Sequence, residues 1–239
     1  MIRKLFRFLL KAIIYFFIFS IASVILFRFV PVPYTPLMFI RMYEQMKAGE
    51  SITLKHNWVP LNEINVNLQK AVIASEDGNF ISHNGFDMKA IEKAMKNNEK
   101  KNARIKGGST ISQQTAKNVF LWPGRSYIRK GFEAYFTVLI ELIWPKERIL
   151  EVYLNSIEMG KGIYGAEAAS YYWFNKQAKH LSPSEAASIA VILPNPRKYK
   201  ATGSGPYINK RRSLITKYVN NFGPLDFDGN IEKKKPKKK

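Results

Sequence analysis

The stretch AVIASEDGNFISHNGFD, residues 71–87, decides how the rest of the chain is interpreted. An apolar run leads into an adjacent acid pair, Glu76 and Asp77, and then into a glycine, an aromatic residue and a histidine. This order predicts a buried helix that ends in a cleft, with a carboxylate between core and solvent. Partial burial raises the pKa of a carboxylate, so that it can exchange protons near neutral pH. An exposed helix end carries acid pairs too, so the stretch alone leaves both interpretations open.

Composition and charge narrow the class of protein. At 239 residues, the chain has room for one domain of ordinary size and an appendage. The formal net charge of +20 predicts an anionic partner, which is a nucleic acid, an anionic membrane surface or a phosphate-bearing substrate. The chain has no cysteine, which excludes disulfides, thiolate catalysis and cysteine-ligated metals. No two of its three histidines have helical ligand spacing, so we expect no metal site.

Residues 5–30 are mostly apolar and predict a membrane anchor. A spanning helix needs about 20 apolar residues, a length reached if Lys11 and Arg28 extend their charged ends toward water. A cleaved signal peptide is the alternative, but its apolar region is usually shorter and no small-x-small cleavage site precedes Pro31. Basic residues before the span place the N-terminus in the cytoplasm and the remainder outside. They are Arg3, Lys4, Arg7 and Lys11.

The pattern after the anchor predicts an all-α protein with short helices and glycine-rich connections, and no strand pattern persists. We expect an anchor in residues 1–30, a linker and membrane-proximal segment in 31–60, a catalytic domain in 61–222 and a basic tail in 223–239. Residues 97–106 are polar and basic, which predicts a mobile loop. The predicted helices cover residues 39–47, 65–75, 87–96, 110–121, 126–144, 146–154, 186–193 and 210–220, and a further helix rich in Ala, Tyr and Trp follows the turn at Gly165.

The stretch GGSTISQQTAKNVFL, residues 107–121, carries a second group of polar side chains. Thr110 and Gln113 form a capping-box pattern, which predicts the start of a helix. Gln113 and Lys117 are then four residues apart and share one face. The stretch lacks the Gly-Lys-Ser/Thr ending of a phosphate-binding P-loop, so we reject an NTPase. Glu133 follows in an apolar surround, where composition alone favours a solvated surface residue.

Five sequence blocks occur in order along the chain: EDGNFISHNGFD, GGSTISQQTAKN, RKGFE, ERILEVYLNSIEMGKGIYGAEAAS and LSPSEAASIAVILPNP. Together they resemble the peptidoglycan glycosyltransferase family, also called family 51 transglycosylases. The resemblance covers residues 61–196, and the chain is most similar to the monofunctional branch, which has no transpeptidase domain. It implies a lysozyme-like helical fold at the outer face of the bacterial cytoplasmic membrane, and lipid II as substrate.

The resemblance also implies residue roles. Glu76 would be the general base that deprotonates the attacking hydroxyl group, with Asp77 as a supporting carboxylate. Glu133 would lie at the donor, near the leaving pyrophosphate, which reverses the expectation from composition. Lys117 and Arg125 would neutralise the pyrophosphate. The other substrate-binding residues would be the polar residues that line the cleft, Ser109, Gln113 and Gln114, and the basic pair before Glu133, Arg129 and Lys130.

The resemblance and the net charge together predict the partners, and they leave two alternatives open. Nothing in the sequence requires a cofactor, although a divalent cation, Mg²⁺ or Mn²⁺, assists some family members at the pyrophosphate. We expect lipid II and lipid-linked glycan, an anionic membrane surface and other cell wall synthesis or division proteins as partners, and no nucleic acid. Ser156 departs from the acid that many relatives carry there, and Lys161 has no assigned role. The alternatives are a membrane-anchored muramidase, which would not need the cations, and a basic scaffold protein.

Overall fold

The computed structural model describes residues 2–99, 107–124 and 126–227. These ranges are mostly helical, which confirms the predicted fold class. Two single-turn 3-10 helices, Leu61–Glu63 and Ala178–His180, lie between the longer elements. The α-helices are α1 (Ile2–Phe29), α2 (Pro36–Lys47), α3 (Val66–Glu76), α4 (Met88–Asn98), α5 (Ile111–Phe120), α6 (Tyr127–Ile143), α7 (Lys146–Ser156), α8 (Ala166–Phe174), α9 (Pro183–Ile192) and α10 (Pro206–Asn221).

Helix α9 lies in the middle of the core. Ser182 caps its start by accepting a hydrogen bond from the Glu185 backbone N–H, and Pro183 occupies the first helical position. Every side chain from residue 186 to residue 192 is buried, as the small apolar sequence predicted. Helices α3 and α10 pack against α9, and α5 packs against α6 and α7. The carboxyl end of α3 is thereby held against the core.

A small sheet departs from the expectation that no strands form. Strand β1 (Lys55–His56) pairs in parallel with β3 (Ile163–Tyr164), and β3 pairs antiparallel with β2 (Glu158–Gly160). These strands are two or three residues long, too short to show the alternation by which a strand is recognised in a sequence. The predicted glycine-rich turn joins β2 to β3, and Gly162 has a φ of +71° there.

The segment 31–60 contacts the domain that follows it. Helix α2 begins at Pro36 rather than at residue 39, since proline fits the first helical position. It packs against α5, while β1 belongs to the sheet. The predicted mobile loop falls mostly on residues outside the described ranges, but residues 97 and 98 still belong to α4. Residues 228–239 of the predicted tail also lie outside them, and the domain boundaries stay a prediction.

Helix α1 is long and apolar enough to span a membrane, by length and composition. Most of its side chains are exposed, but its second half packs against α6. The Ser20 and Tyr135 hydroxyl groups are 2.7 Å apart, and Phe16 packs edge-on against Phe132. The Trp144 indole N–H donates to the Val24 carbonyl at 2.7 Å. Helix α1 is therefore joined to the helix that carries Glu133.

Candidate active site

Glu76 is the last residue of α3 and lies at the edge of the core. Its Oε2 accepts a hydrogen bond of 3.1 Å from Gln114 Nε2 on α5. Burial raises the pKa of Glu76, while the Gln114 hydrogen bond and the positive charge of Arg211 partly oppose that rise. A half-buried carboxylate with a raised pKa is suited to accept a proton near neutral pH. The predicted boundary position of this carboxylate is confirmed.

Asp77 has a different environment from Glu76, although the two are adjacent. It is 6% exposed, and its Oδ2 accepts a hydrogen bond of 2.9 Å from the Ile111 backbone N–H at the start of α5. His83 Nε2 lies 2.9 Å from Asp77 Oδ1. A carboxylate at a helix N-terminus satisfies a backbone N–H that the helix leaves free. Asp77 therefore ties the end of α3 to the start of α5, and its predicted contact with substrate stays a prediction.

Helix α5 starts at the capping box that the sequence predicted. Thr110 Oγ1 accepts from the Gln113 backbone N–H at 3.2 Å, and Gln113 Oε1 accepts from the Thr110 backbone N–H at 3.0 Å. Thr110 Oγ1 also donates to the Gly85 carbonyl at 2.6 Å. The start of α5 is thus fixed both by its own cap and by the loop that follows α3. This fixes the direction in which Gln114 and Lys117 project.

Glu133 is almost completely buried, at 3% exposure, on the inner face of α6. Arg129 Nη1 donates to Glu133 Oε2 at 2.6 Å, and Lys130 Nζ donates to Oε1. The three residues are three and four positions apart on one helix, so they share a face. Sequence composition alone had favoured a solvated Glu133, and its burial contradicts that expectation. Two cations thus compensate the one buried carboxylate.

Lys117 lies among these charges. Burial lowers the pKa of Lys117, and the Glu133 carboxylate opposes that effect, with a smaller contribution from Glu76. A partly buried lysine costs desolvation energy that a nearby anion offsets. The ammonium group is therefore placed where an additional negative charge from a ligand would be stabilised.

A cavity of about 330 Å³ lies between α2, α5 and α6. Glu76 and Asp77 lie beyond its lining, and Gln114 connects Glu76 to it. Arg125 lies outside the described residues, although its neighbour Gly124 lines the cavity. Seven of the ten predicted site residues line this cavity: Ser109, Gln113, Gln114, Lys117, Arg129, Lys130 and Glu133.

Sequence reasoning missed several residues at or near the cavity. Leu37 and Arg41 reach it from α2, and Asn118 reaches it from α5. Arg211 on α10 donates to Ser75 Oγ at 3.1 Å, directly beside Glu76. The helical spacing of Asn118 after Gln114 could have pointed to it, since the two are four residues apart. Tertiary packing brings Arg41 and Arg211 to the site, and no short-range sequence pattern indicates such packing.

The two residues that departed from the family pattern lie elsewhere. Ser156 is buried at the end of α7, and its Oγ has no hydrogen-bond partner among the described residues. Lys161 forms an ion pair of 2.5 Å with Glu50, in a surface groove formed by other residues than those of the cavity. Neither residue lines the cavity.

A comparison with protein families matches residues 44–220, more than half of the chain, to the transglycosylase family. The chain belongs to the transglycosylase family. The match includes both carboxylates and every predicted cation of the site, which confirms the family that the five sequence blocks indicated. This transglycosylase places its two carboxylates on different helices, α3 and α6, with Gln114 and Lys117 of α5 between them.

Individual transglycosylases agree with this assignment over almost the whole chain. A biosynthetic peptidoglycan transglycosylase from Bacteroides thetaiotaomicron is 52% identical over 241 residues, which cover 100% of this chain and 96% of the relative. One from Bdellovibrio bacteriovorus is 54% identical over 213 residues, 89% of this chain and 85% of the relative. One from Pseudomonas fluorescens is 47% identical over 227 residues, 95% of this chain and 94% of the relative.

Proposed function

We propose that this transglycosylase polymerises lipid II into glycan strands for the bacterial cell wall and releases undecaprenyl pyrophosphate. The observation that carries the proposal is the hydrogen bond from Gln114 to Glu76, because it joins a carboxylate of raised pKa to a cavity with Lys117, Arg129 and Lys130 on its wall. Such a site offers a base at one end and cations for a charged leaving group at the other. Polymerisation of a sugar pyrophosphate needs both.

Glu76 acts as the general base in this reaction. It takes the proton from the 4-hydroxyl group of the incoming lipid II, and that oxygen then forms the new bond to the anomeric carbon of the lipid-linked glycan. The bond from this carbon to the pyrophosphate oxygen breaks with inversion, and its electron pair leaves with the pyrophosphate. Burial supports this role, because the raised pKa of Glu76 increases its affinity for the proton.

The leaving pyrophosphate carries its own negative charge, so it needs cations more than it needs a general acid. Lys117 supplies one cation from the α5 wall, and Arg125, which precedes α6 in the sequence, would add another. Arg129 and Lys130 are paired with Glu133 and hold that carboxylate within the cavity wall. Glu133 in turn fixes the positions of the cations that face the donor.

The proposed anchor, α1, holds the site at the membrane. Helix α1 fits a single-pass anchor, and the basic residues before it favour a cytoplasmic N-terminus under the positive-inside rule. The catalytic domain then faces the outer surface of the cytoplasmic membrane, where lipid II presents its sugars. We further propose contact with anionic lipid through the basic tail, and contacts with other cell wall synthesis or division proteins.

A divalent cation at the pyrophosphate would be bound largely by the phosphate oxygens of the substrate. Among the described residues, no group of three or more histidine, aspartate or glutamate side chains could bind a metal ion. Both oxygens of Glu133 are already paired with cations, and Asp77 is occupied by Ile111 and His83. If the reaction requires Mg²⁺ or Mn²⁺, we therefore expect phosphate oxygens of lipid II to bind the ion. Adding EDTA to the polymerisation reaction tests it.

Polymerisation of labelled lipid II by the purified full chain in detergent tests the function. Wild-type protein should form long glycan that lysozyme degrades, and Glu76→Gln should abolish it. Glu92→Gln is the matched control, because Glu92 is an exposed carboxylate that pairs with Lys96 on α4. A wild-type protein that shortens preformed glycan and makes no polymer would establish the muramidase alternative instead.

A further inference from the structure

Helix α2 contributes a wall of the cavity that the family match does not include. Leu37 and Arg41 line the cavity from this helix, whereas the matched region begins at residue 44. The sequence placed both residues in a membrane-proximal segment, yet α2 packs against α5. The site of this transglycosylase is therefore completed by residues that precede its family domain.

Arg41 is held in position by two carboxylates from different elements. Its Nη1 donates to Glu44 Oε2 at 2.6 Å, and its Nε lies 3.5 Å from Oε2 of Glu158 on β2. Glu158 is itself buried, and its Oε1 accepts a hydrogen bond from the Gly162 backbone N–H at 3.4 Å. These contacts orient the guanidinium group, which would otherwise be free to move on a long side chain.

The contacts within the chain do not use all of the binding capacity of Arg41. A guanidinium carries five N–H donors in a rigid fork. The Arg41 Nε is buried beside Glu158, whereas the side chain as a whole remains 24% exposed, which leaves the outer edge of the guanidinium group for a ligand. Arginine in this state is suited to bind two oxygens of one phosphate or carboxylate group.

We propose that Arg41 completes an oxyanion-binding site in the cavity and binds an anionic group of the lipid-linked sugar substrate. The identity of that substrate rests on the proposed function, but the anion-binding property does not. Two groups of such a substrate share this chemistry, namely the pyrophosphate and the carboxylates of the peptide. A purely structural ion pair between α2 and β2 is the competing explanation, and it requires no ligand.

Inorganic pyrophosphate is the probe for the anion site, and its affinity for the full chain in detergent is measured by calorimetry. Arg41→Met keeps most of the side-chain length and removes the charge. Arg197→Met is the matched control, because Arg197 also approaches Glu44, at 3.5 Å, but does not line the cavity. If the pyrophosphate is the ligand, Arg41→Met weakens pyrophosphate binding by about tenfold, the effect of one lost hydrogen bond to a charged group. Arg197→Met should leave binding unchanged.

Lipid II kinetics distinguish the two sources of the anion. Arg41→Met should raise KM by about tenfold with a smaller change in kcat, and Arg41→Lys should restore part of the loss. If peptide carboxylates are the ligand, amidating them removes the KM difference between wild type and Arg41→Met, while pyrophosphate affinity is unaltered. Unchanged KM and pyrophosphate affinity in Arg41→Met, with a lower melting temperature, would overturn the proposal. Absence of polymerisation by wild type would reject the proposed function, and the pyrophosphate measurement would still test Arg41.

Discussion

Gln114 donates a 3.1 Å hydrogen bond to Glu76 and lines the cavity that holds Lys117 and Glu133. One amide side chain thus contacts the proposed base and faces the proposed donor site. Its carbonyl oxygen accepts a hydrogen bond of 3.3 Å from the buried Tyr153 hydroxyl group, which fixes its orientation. The charge state of Glu76 is therefore coupled to a residue of the cavity wall.

Gln114→Leu should shift the pH profile of the enzyme. The hydrogen bond from Gln114 favours the charged form of Glu76, so its loss raises the pKa of that carboxylate further. Because the base must be deprotonated to act, the acidic limb of kcat/KM should move to higher pH. At neutral pH we expect kcat/KM to fall about tenfold. The exposed Gln177→Leu is the control, and a fall in activity with an unmoved acidic limb would contradict this role of Gln114.

Asp77→Ala should destabilise the protein, because it removes the acceptor for the Ile111 N–H and for His83. We expect the free energy of unfolding to fall by about 2 kcal/mol, measured by urea denaturation in detergent. Since α5 carries Gln114, kcat should fall as well. Asp87→Ala removes the cap of α4 instead, and should lower the melting temperature without changing kcat. Unchanged stability with a raised KM would favour the predicted substrate contact of Asp77.

Lys117→Ala should impair turnover and leave the fold intact. The side chain is partly desolvated, and that cost disappears in the alanine variant, so the melting temperature should not fall. Loss of a cation at the leaving pyrophosphate should lower kcat by about a hundredfold. Kinetics with labelled lipid II and thermal unfolding measure the two effects, and Lys93→Ala on α4 is the exposed control. An unfolded Lys117→Ala protein would indicate a structural role.

Gly165→Ala should destabilise the protein. Gly165 has a φ of +81°, and a Cβ there would lie 2.7 Å from the Asn155 carbonyl oxygen. Strain and overlap together should cost about 2–4 kcal/mol of unfolding free energy. Gly131→Ala in α6 is the matched control, since its added Cβ would meet nothing within 4 Å and should stabilise the helix by about 0.5–1 kcal/mol. Equal melting temperatures for the two variants would contradict the strain argument.

Local sequence signals predicted the helices that carry the site. The capping boxes at Thr110 and Ser182 fixed the starts of α5 and α9, because their hydrogen bonds join residues three apart. The resemblance then pointed to Glu76 and Glu133, whose burial at the end of α3 and on the inner face of α6 composition could not show. The resemblance predicted which residue types line the cavity. The distances between these side chains depend on the tertiary fold and could not be predicted from the sequence.

Long-range packing explains what the sequence did not predict. Arg211 contacts Ser75 across 136 positions, and no periodicity links two such residues. Arg41 reaches the cavity because α2 packs against α5, in a segment that its prolines marked as a linker. The three strands each rely on partners far along the chain rather than on their own pattern.

If α1 spans the membrane as proposed, its contacts with the rest of the chain set the depth of the cavity relative to the bilayer. Arg148 on α7 donates to the Phe27 carbonyl at 2.7 Å and to the Val30 carbonyl at 2.5 Å, so the end of the anchor is fastened to the domain. Helix α1 has 28 residues and is about 42 Å long, which exceeds a hydrocarbon core of about 30 Å. With α1 as the proposed anchor, the site would be held at one depth, where a substrate fixed by its own lipid would be presented in register. A sugar nucleotide diffusing in solution would gain nothing from that alignment.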